Sequence, residues 1–127
     1  NMLATRLAVE RGFDEALLVT PHGRVLEAPT STFFWAAGGE LFTPPLEDHI
    51  LASITRASVM ELTGAQERAC TLEDVHAAEE AFLASTTREV QPVTAVEDHE
   101  LALAPGPLSE RAATLLRDHI AAELAVA

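Results

Sequence analysis

The segment "TFFWAAGGELFT" at residues 32–43 predicts the centre of the fold, because it has the composition of two strands joined by a tight turn. Residues 32–37 are rich in aromatic side chains, which favour strands. Gly38-Gly39 then supplies a hairpin turn, and residues 40–43 are predicted to return as the second strand. Pro44-Pro45 cannot join a central strand, so we expect a loop beyond this hairpin.

The residues on either side of the hairpin predict further strands and helices. Short apolar runs bounded by turn residues predict strands at 15–20, 25–28, 80–85 and 89–97. Apolar residues at the helical period, with stop and cap signals, predict helices at 2–11, 54–64, 108–124 and from Thr71 onward. Ser109 is the predicted cap of the last helix. Hairpin-linked strands with separate helices predict an α+β fold, or a mixed α/β sheet closed on itself.

The composition limits the class of protein. With 127 residues and 48% hydrophobic residues, the chain is predicted to form one domain with a substantial core. A formal net charge of −12 argues against a large surface for nucleic acid or anionic membrane, and no apolar run is long enough to span a bilayer. The scattered histidines lack metal-ligand spacing, so no metal site is predicted. With one cysteine and no visible signal peptide, we expect a cytoplasmic location.

Lysine is absent from the sequence, because all 8 basic residues are arginines. Chemistry that depends on an ε-amino group therefore cannot be completed by this polypeptide. The sequence also contains neither the G-x-S-x-G nucleophile elbow nor the G-x-G-x-x-G dinucleotide fingerprint. These absences leave other anion-binding segments as the candidates for a functional site.

The start of the predicted helix at residues 54–64 is the first such candidate. The first N–H groups of a helix lack internal acceptors and carry the positive end of the helix dipole, so they can bind a phosphate. Ser53 or Thr55 could instead cap the helix with its own hydroxyl. The residues alone leave both interpretations open.

Two further groups of polar residues are candidates. Ser85, Thr86 and Thr87 lie in a row between two predicted strands, where they form either an anion-binding loop or an ordinary Ser/Thr turn. Glu27 lies in an apolar strand, so its carboxylate is either exposed by side-chain alternation or faces a group that offsets its charge. Ser31 follows in the bend that begins at Pro29.

Three segments taken together resemble the class IV aminotransferases, which are the fold-type IV pyridoxal-phosphate enzymes. The segments are "DEALLVTPHGRVLEAPTSTFFW" (14–35), "LFTPPLEDHILASITRASVMEL" (41–62) and "EEAFLASTTREVQPVTAVE" (79–97). The resemblance covers about residues 1–97 in order and at natural spacing. It implies the fold of the large C-terminal cofactor domain of these enzymes, a pseudo-barrel of mostly antiparallel strands flanked by helices, for residues 1–127.

The resemblance also implies roles for the candidate residues in binding pyridoxal 5'-phosphate. Glu27 corresponds to the glutamate that contacts the pyridine nitrogen, and Ser31 to a hydroxyl near that nitrogen. Leu51 corresponds to the leucine that packs against the ring. The helix start and the hydroxyl loop correspond to the phosphate site, which comprises Ser53, Ile54, Thr55, Thr86 and Thr87. Ser53 stands where the family usually has Gly.

Two departures from the family pattern bear on function. The Schiff-base lysine of the family lies just upstream of the position of Asn1, so we expect this lysine and the small N-terminal domain to lie outside the sequence. Met2 stands where branched-chain enzymes usually have Tyr, which weakens that particular assignment.

The resemblance implies that the intact enzyme is a homodimer that transfers an amino group between an amino acid and a 2-oxo acid. The branched-chain and D-amino-acid types both remain open. One alternative is an aminodeoxychorismate lyase, which eliminates pyruvate to give 4-aminobenzoate. A second alternative is a non-catalytic homologue that serves as a binding or assembly module.

Overall fold

The computed structural model describes residues 2–126, which form helices packed on mostly antiparallel strands. The helices are α1 (Met2–Glu10), α2 (Ile54–Thr63), α3 (Leu72–Ala77) and α4 (Pro107–Val126), with a 3₁₀ helix at Leu46–Asp48. The strands are β1 (Arg24–Val25), β2 (Thr32–Ala37), β3 (Glu40–Thr43), β4 (Gln66–Glu67), β5 (Cys70–Thr71), β6 (Ala81–Ser85), β7 (Glu89–Pro92), β8 (Ala95–Val96) and β9 (His99–Glu100). The predicted α+β fold is confirmed.

The main sheet has five strands in the order β4-β3-β2-β6-β7. At its centre β2 pairs antiparallel with β3, where Trp35 opposes Phe42, and with β6, where Phe34 opposes Phe82. The hairpin between β2 and β3 turns at Gly38-Gly39 as predicted, and both glycines have the positive φ angles that the turn requires. Two smaller strand pairs, β1 with β5 and β8 with β9, complete the described strands.

Successive side chains of the central strand β2 point to opposite faces of the sheet, and the side chains on both faces are buried. On one face Phe33 and Trp35 pack with Phe42, α3 and β5. On the other face Phe34 stacks on Phe82 with ring centroids 4.9 Å apart, and Val59 of α2 and Leu116 of α4 cover them. The sheet therefore fixes the position of α2, whose first turn forms part of the candidate site.

The strands predicted at 15–20 and 25–28 are shorter in the structure than expected. The backbone of Leu18 exchanges hydrogen bonds with Leu26 and Glu27, but only Arg24–Val25 forms a regular strand, and it pairs with β5. Pro29 has no N–H group and starts a bend, which stops the pairing. The strand predicted at 89–97 is divided in the structure into β7, which ends at Pro92, and β8.

The prediction that Ser109 caps the last helix is wrong. Helix α4 begins at Pro107, and Ser109 lies inside its first turn. The cap is the buried carboxylate of Glu80, which accepts hydrogen bonds from the N–H groups of Leu108 (3.2 Å) and Ser109 (2.7 Å) and from the Ser109 hydroxyl (2.7 Å). By contrast, the capping box at Thr71 and the stop at Gly64 are confirmed.

Candidate functional site

Three segments that are distant in the sequence meet at the N-terminus of α2. The Glu27 carboxylate reaches the N–H of Leu51, with both carboxylate oxygens 3.3 Å from that nitrogen. The hydroxyls of Thr32 and Ser53 lie 3.4 Å apart. On the other side, the Oγ1 atoms of Thr55 and Thr86 also lie 3.4 Å apart. The predicted candidates at Glu27, at the helix start and in the hydroxyl loop therefore belong to one site.

Glu27 is partly buried between the β1 region and the loop before α2. This burial raises the pKa of its carboxyl group above the ordinary value of 4.5, whereas the Leu51 N–H and the positive charge of Arg56 act in the opposite direction. The carboxylate can therefore hold a proton-bearing group of a ligand more readily than a fully solvated glutamate. Of the two interpretations of Glu27, the structure supports the one in which the side chain turns toward a polar partner.

The first turn of α2 retains donors for an anion. Ser53 is the N-cap, and its hydroxyl accepts a hydrogen bond of 3.0 Å from the N–H of Arg56. Within residues 2–126, the N–H groups of Ile54 and Thr55 have no protein acceptor. The capping interpretation of Ser53 is thus confirmed, and two donors at the positive end of the helix dipole are still available for a ligand.

The loop between β6 and β7 extends this donor set. The Ser85 hydroxyl is used inside the loop, where it accepts a hydrogen bond of 3.1 Å from the N–H of Arg88. Thr86 and Thr87 are both exposed, and the Thr86 hydroxyl faces Thr55. No hydrogen bond links the Thr87 side chain to α2 among the described residues. Thr86 is therefore the loop residue whose hydroxyl contacts the helix start.

The remaining predicted site residues differ strongly in their exposure. Ser31 is 8% exposed, and its backbone pairs with that of Ala28 at the bend that follows Glu27. Leu51 is 68% exposed and Ile54 is 87% exposed. Large apolar side chains that open to solvent between a carboxylate and a free helix end provide a contact surface for a flat or apolar ligand.

Arg56 is a polar residue at this site to which the sequence analysis gave no role. It is 5% exposed, and its Nη2 atom donates to the carbonyl of Pro44 (3.0 Å) and to the carboxylate of Glu67 (2.6 Å). This contact with the Arg56 guanidinium holds the pKa of the Glu67 carboxyl group below its ordinary value. In the sequence, Arg56 precedes the buried Val59 by three residues. This spacing puts both side chains on the inner face of α2 and could have indicated that Arg56 is buried.

Residues 2–126 contain no cluster of three or more His, Cys, Asp or Glu side chains that could hold a metal ion. No helix among them is both long enough and apolar enough to cross a membrane.

The sequence pattern of the family described as amino-transferase class IV matches residues 1–96. A D-alanine aminotransferase of Bacillus licheniformis is 34% identical over 131 residues, and a probable branched-chain-amino-acid aminotransferase of Synechocystis sp. is 33% identical over 121 residues. These alignments cover 98% and 91% of this chain. The chain belongs to the class IV aminotransferase family.

Solved structures give the same result for the fold. A branched-chain amino acid aminotransferase from Thermobaculum terrenum in its PLP form superimposes with a TM-score of 0.89 at 33% identity over 94% of this chain. A putative 4-amino-4-deoxychorismate lyase from Legionella pneumophila superimposes with a TM-score of 0.86 at 25% identity over 92% of the chain. The chain spans less than half the length of these proteins, covering 46% and 39% of the two curated relatives and 41% and 45% of the two solved chains.

Proposed function

We propose that residues 1–127 are the C-terminal cofactor domain of a pyridoxal-phosphate-dependent aminotransferase. The observation that carries the proposal is the meeting of the Glu27 carboxylate with the free N-terminus of α2 at a surface that includes the exposed Leu51. Such a surface offers a partner for a protonated ring nitrogen at one end and donors for a phosphate at the other. Membership of the class IV aminotransferase family supports the same ligand.

The phosphate group would be held by the first turn of α2 and the loop after β6. The N–H groups of Ile54 and Thr55 are donors without protein acceptors in the described part of the chain. The hydroxyls of Thr55 and Thr86 converge beside them, and Thr87 follows on the exposed loop. We assign Ser53 to capping of the helix at this phosphate site, since its hydroxyl already accepts a hydrogen bond from the N–H of Arg56.

The pyridine ring would lie between Glu27 and the phosphate site. When bound, pyridoxal phosphate supplies an electron sink, which is strongest when its ring nitrogen carries a proton. The Glu27 carboxylate stabilises a proton at that nitrogen, because an ionised carboxylate can only accept hydrogen bonds. Leu51 provides an apolar contact for the ring face, and Ser31 closes the bend behind Glu27.

The lysine needed for covalent attachment of the cofactor would come from another part of the intact protein, since residues 1–127 contain none. We propose that the intact protein also contains the small N-terminal domain and the residues that select the substrate. We further propose that it forms a homodimer. The partial coverage of the relatives supports this division, as the aligned region is less than half of each. The reaction proposed is amino transfer between an amino acid and a 2-oxo acid.

The second candidate reaction is pyruvate elimination from aminodeoxychorismate, which the similarity to the putative lyase of Legionella pneumophila favours. The experiment that separates the candidates is an assay of the intact protein, loaded with pyridoxal phosphate, on D-alanine, L-leucine and aminodeoxychorismate. Transfer to a 2-oxo acid from either amino acid supports the aminotransferase, and 4-aminobenzoate formation supports the lyase. Absence of pyridoxal-phosphate binding would overturn both and leave the non-catalytic homologue.

A further inference from the structure

A buried arginine, Arg56, lies in the first turn of α2, and its charge acts on Glu27. The side chain of Arg56 is 6% exposed, and among the described residues it donates hydrogen bonds to the Pro44 carbonyl and the Glu67 carboxylate. Its Nε atom is buried without a hydrogen-bond partner within residues 2–126. A guanidinium removed from water to this extent is costly, so its two contacts define its position closely.

Those contacts fasten the loop that leads into α2. The Arg56 guanidinium donates a hydrogen bond to the carbonyl of Pro44. The Glu67 carboxylate accepts hydrogen bonds from the Arg56 guanidinium and, at 3.3 Å, from the N–H of Leu46. The beginning of the loop is thereby tied to α2 and to β4. The end of the same loop presents the N–H of Leu51 to the Glu27 carboxylate.

We propose that Arg56 is a positioning residue that, together with Glu67, holds residues 44–51 so that the Leu51 N–H meets the Glu27 carboxylate. The inference deepens the proposed function, and its importance for the cofactor rests on that function. Electrostatics supports it: burial raises the pKa of Glu27, and the hydrogen bond from Leu51 and the charge of Arg56 counteract that rise. One buried cation thus supports the ionised form of Glu27 both directly and through the loop.

The inference has a specific structural consequence. Both contacts come from the Nη2 atom of a planar guanidinium, whereas a lysine carries a compact ammonium on a flexible stem. Arg56→Lys would therefore keep the charge and loosen the loop. Glu67→Gln would keep a hydrogen-bond acceptor and remove the charge that strengthens both contacts. Because the Glu67 side chain is 43% exposed, its variant is the safer one for folding.

The test is amide hydrogen exchange of the intact protein, without added cofactor, for Glu67→Gln and Arg56→Lys. The matched control is Glu61→Gln, an exposed glutamate on α2. We expect exchange in peptides covering residues 46–51 to become about tenfold faster in both variants, while exchange in α4 stays at the wild-type rate. Unchanged exchange at residues 46–51 in Glu67→Gln, or an equal acceleration throughout the domain, would overturn the inference.

A second readout links the loop to Glu27. If Arg56 and Glu67 act through Glu27, Glu67→Gln should weaken pyridoxal-phosphate binding in the wild type and have little further effect in a Glu27→Gln background. Additive losses would overturn the inference. If Glu27→Gln by itself leaves cofactor affinity and turnover unchanged, the proposed function of the site fails instead, and the exchange data still decide whether Arg56 positions the loop.

Discussion

The Oγ1 atoms of Thr55 and Thr86 lie 3.4 Å apart, although one residue begins a helix and the other lies in a loop between two strands. The sheet brings them together, because β6 lies beside β2 and α2 packs on the same face. Two hydroxyls and two helix N–H groups that have no acceptor within residues 2–126 thus lie at the start of α2. This convergence supports the proposed phosphate site at the N-terminus of α2.

Removing either hydroxyl of this pair should weaken binding of the phosphate group. We expect Thr55→Val and Thr86→Val each to reduce pyridoxal-phosphate affinity of the intact apoprotein by about 1–3 kcal/mol, the range for loss of a hydrogen bond to a charged group. Binding of pyridoxal, which lacks the phosphate, should be unchanged. Thr114→Val, at an exposed position of α4, is the control. An equal loss for pyridoxal would indicate general damage instead of a lost phosphate contact.

Ser53 should behave as a helix cap. Because its hydroxyl accepts the Arg56 N–H, Ser53→Ala should destabilise the protein by about 1 kcal/mol, whereas Ser53→Gly should cost only a few tenths. Urea denaturation measures both. The resemblance to the class IV aminotransferases implies glycine at this position, so we expect that variant to bind pyridoxal phosphate normally. A large loss of cofactor affinity in Ser53→Gly would mean that the hydroxyl contacts the phosphate itself.

The carboxylate of Glu80 should account for much of the stability of α4. It caps the helix from inside the core with three hydrogen bonds, so Glu80→Ala should lower the free energy of unfolding by about 2–4 kcal/mol. Gly106 leaves room for this carboxylate, since a Cβ atom there would clash with the Glu80 carboxyl group. Gly106→Ala should therefore be destabilising as well.

The two substitutions should be strongly coupled, because the three atoms nearest to a Cβ at position 106 belong to the group that Glu80→Ala removes. Urea denaturation of both single variants and the double variant gives the coupling energy. The double variant should be nearly as stable as Glu80→Ala alone. Simple addition of the two losses would show that Gly106 is constrained by something other than the Glu80 carboxylate.

The stability of the protein should carry a pH-dependent contribution from Glu27. Its pKa is raised in the folded chain by burial, so between the ordinary value of 4.5 and the raised value the folded state binds more protons than the unfolded state. The contribution of Glu27 to stability therefore falls as pH rises through this interval. Glu27→Gln lacks this titration, so its stability relative to the wild type should increase from pH 4 to pH 7.

The measurement for Glu27 is the free energy of unfolding of the wild type and the variant at several pH values. Glu61→Gln, on the exposed side of α2, controls for the change in net charge. A stability of Glu27→Gln relative to the wild type that falls with rising pH would contradict the sign. It would mean that the contacts with Leu51 and Arg56 outweigh the burial of the carboxylate.

Features with local sequence signals could be predicted, and features that depend on distant partners could not. The hairpin at Gly38-Gly39 and the capping box at Thr71 require only neighbouring residues, and both were predicted correctly. The cap of α4 was missed because its carboxylate comes from Glu80, far from the helix in sequence. The local signal at Ser109 was misleading, since its hydroxyl donates to Glu80 instead of accepting an N–H from its own helix.

The same limit applies within the candidate site. The sequence pointed to Glu27, to the start of α2 and to the hydroxyl loop, because each has an unusual polar residue in an apolar setting. It could not tell Thr86 from Thr87, since only the conformation of the loop decides which hydroxyl faces Thr55. The role of Arg56 depends on Pro44 and Glu67, which reach it through the loop and β4 rather than along α2.

The central claim is that Glu27 holds a proton on the ring nitrogen of pyridoxal phosphate, and this proton can be observed directly. The measurement is the ¹⁵N NMR shift of ring-labelled cofactor bound to the intact protein, for the wild type and Glu27→Gln. A carboxylate only accepts hydrogen bonds, whereas a glutamine amide can donate one to an unprotonated nitrogen. We predict a protonated ring nitrogen in the wild type and an unprotonated one in Glu27→Gln. The same shift in both proteins would contradict the claim.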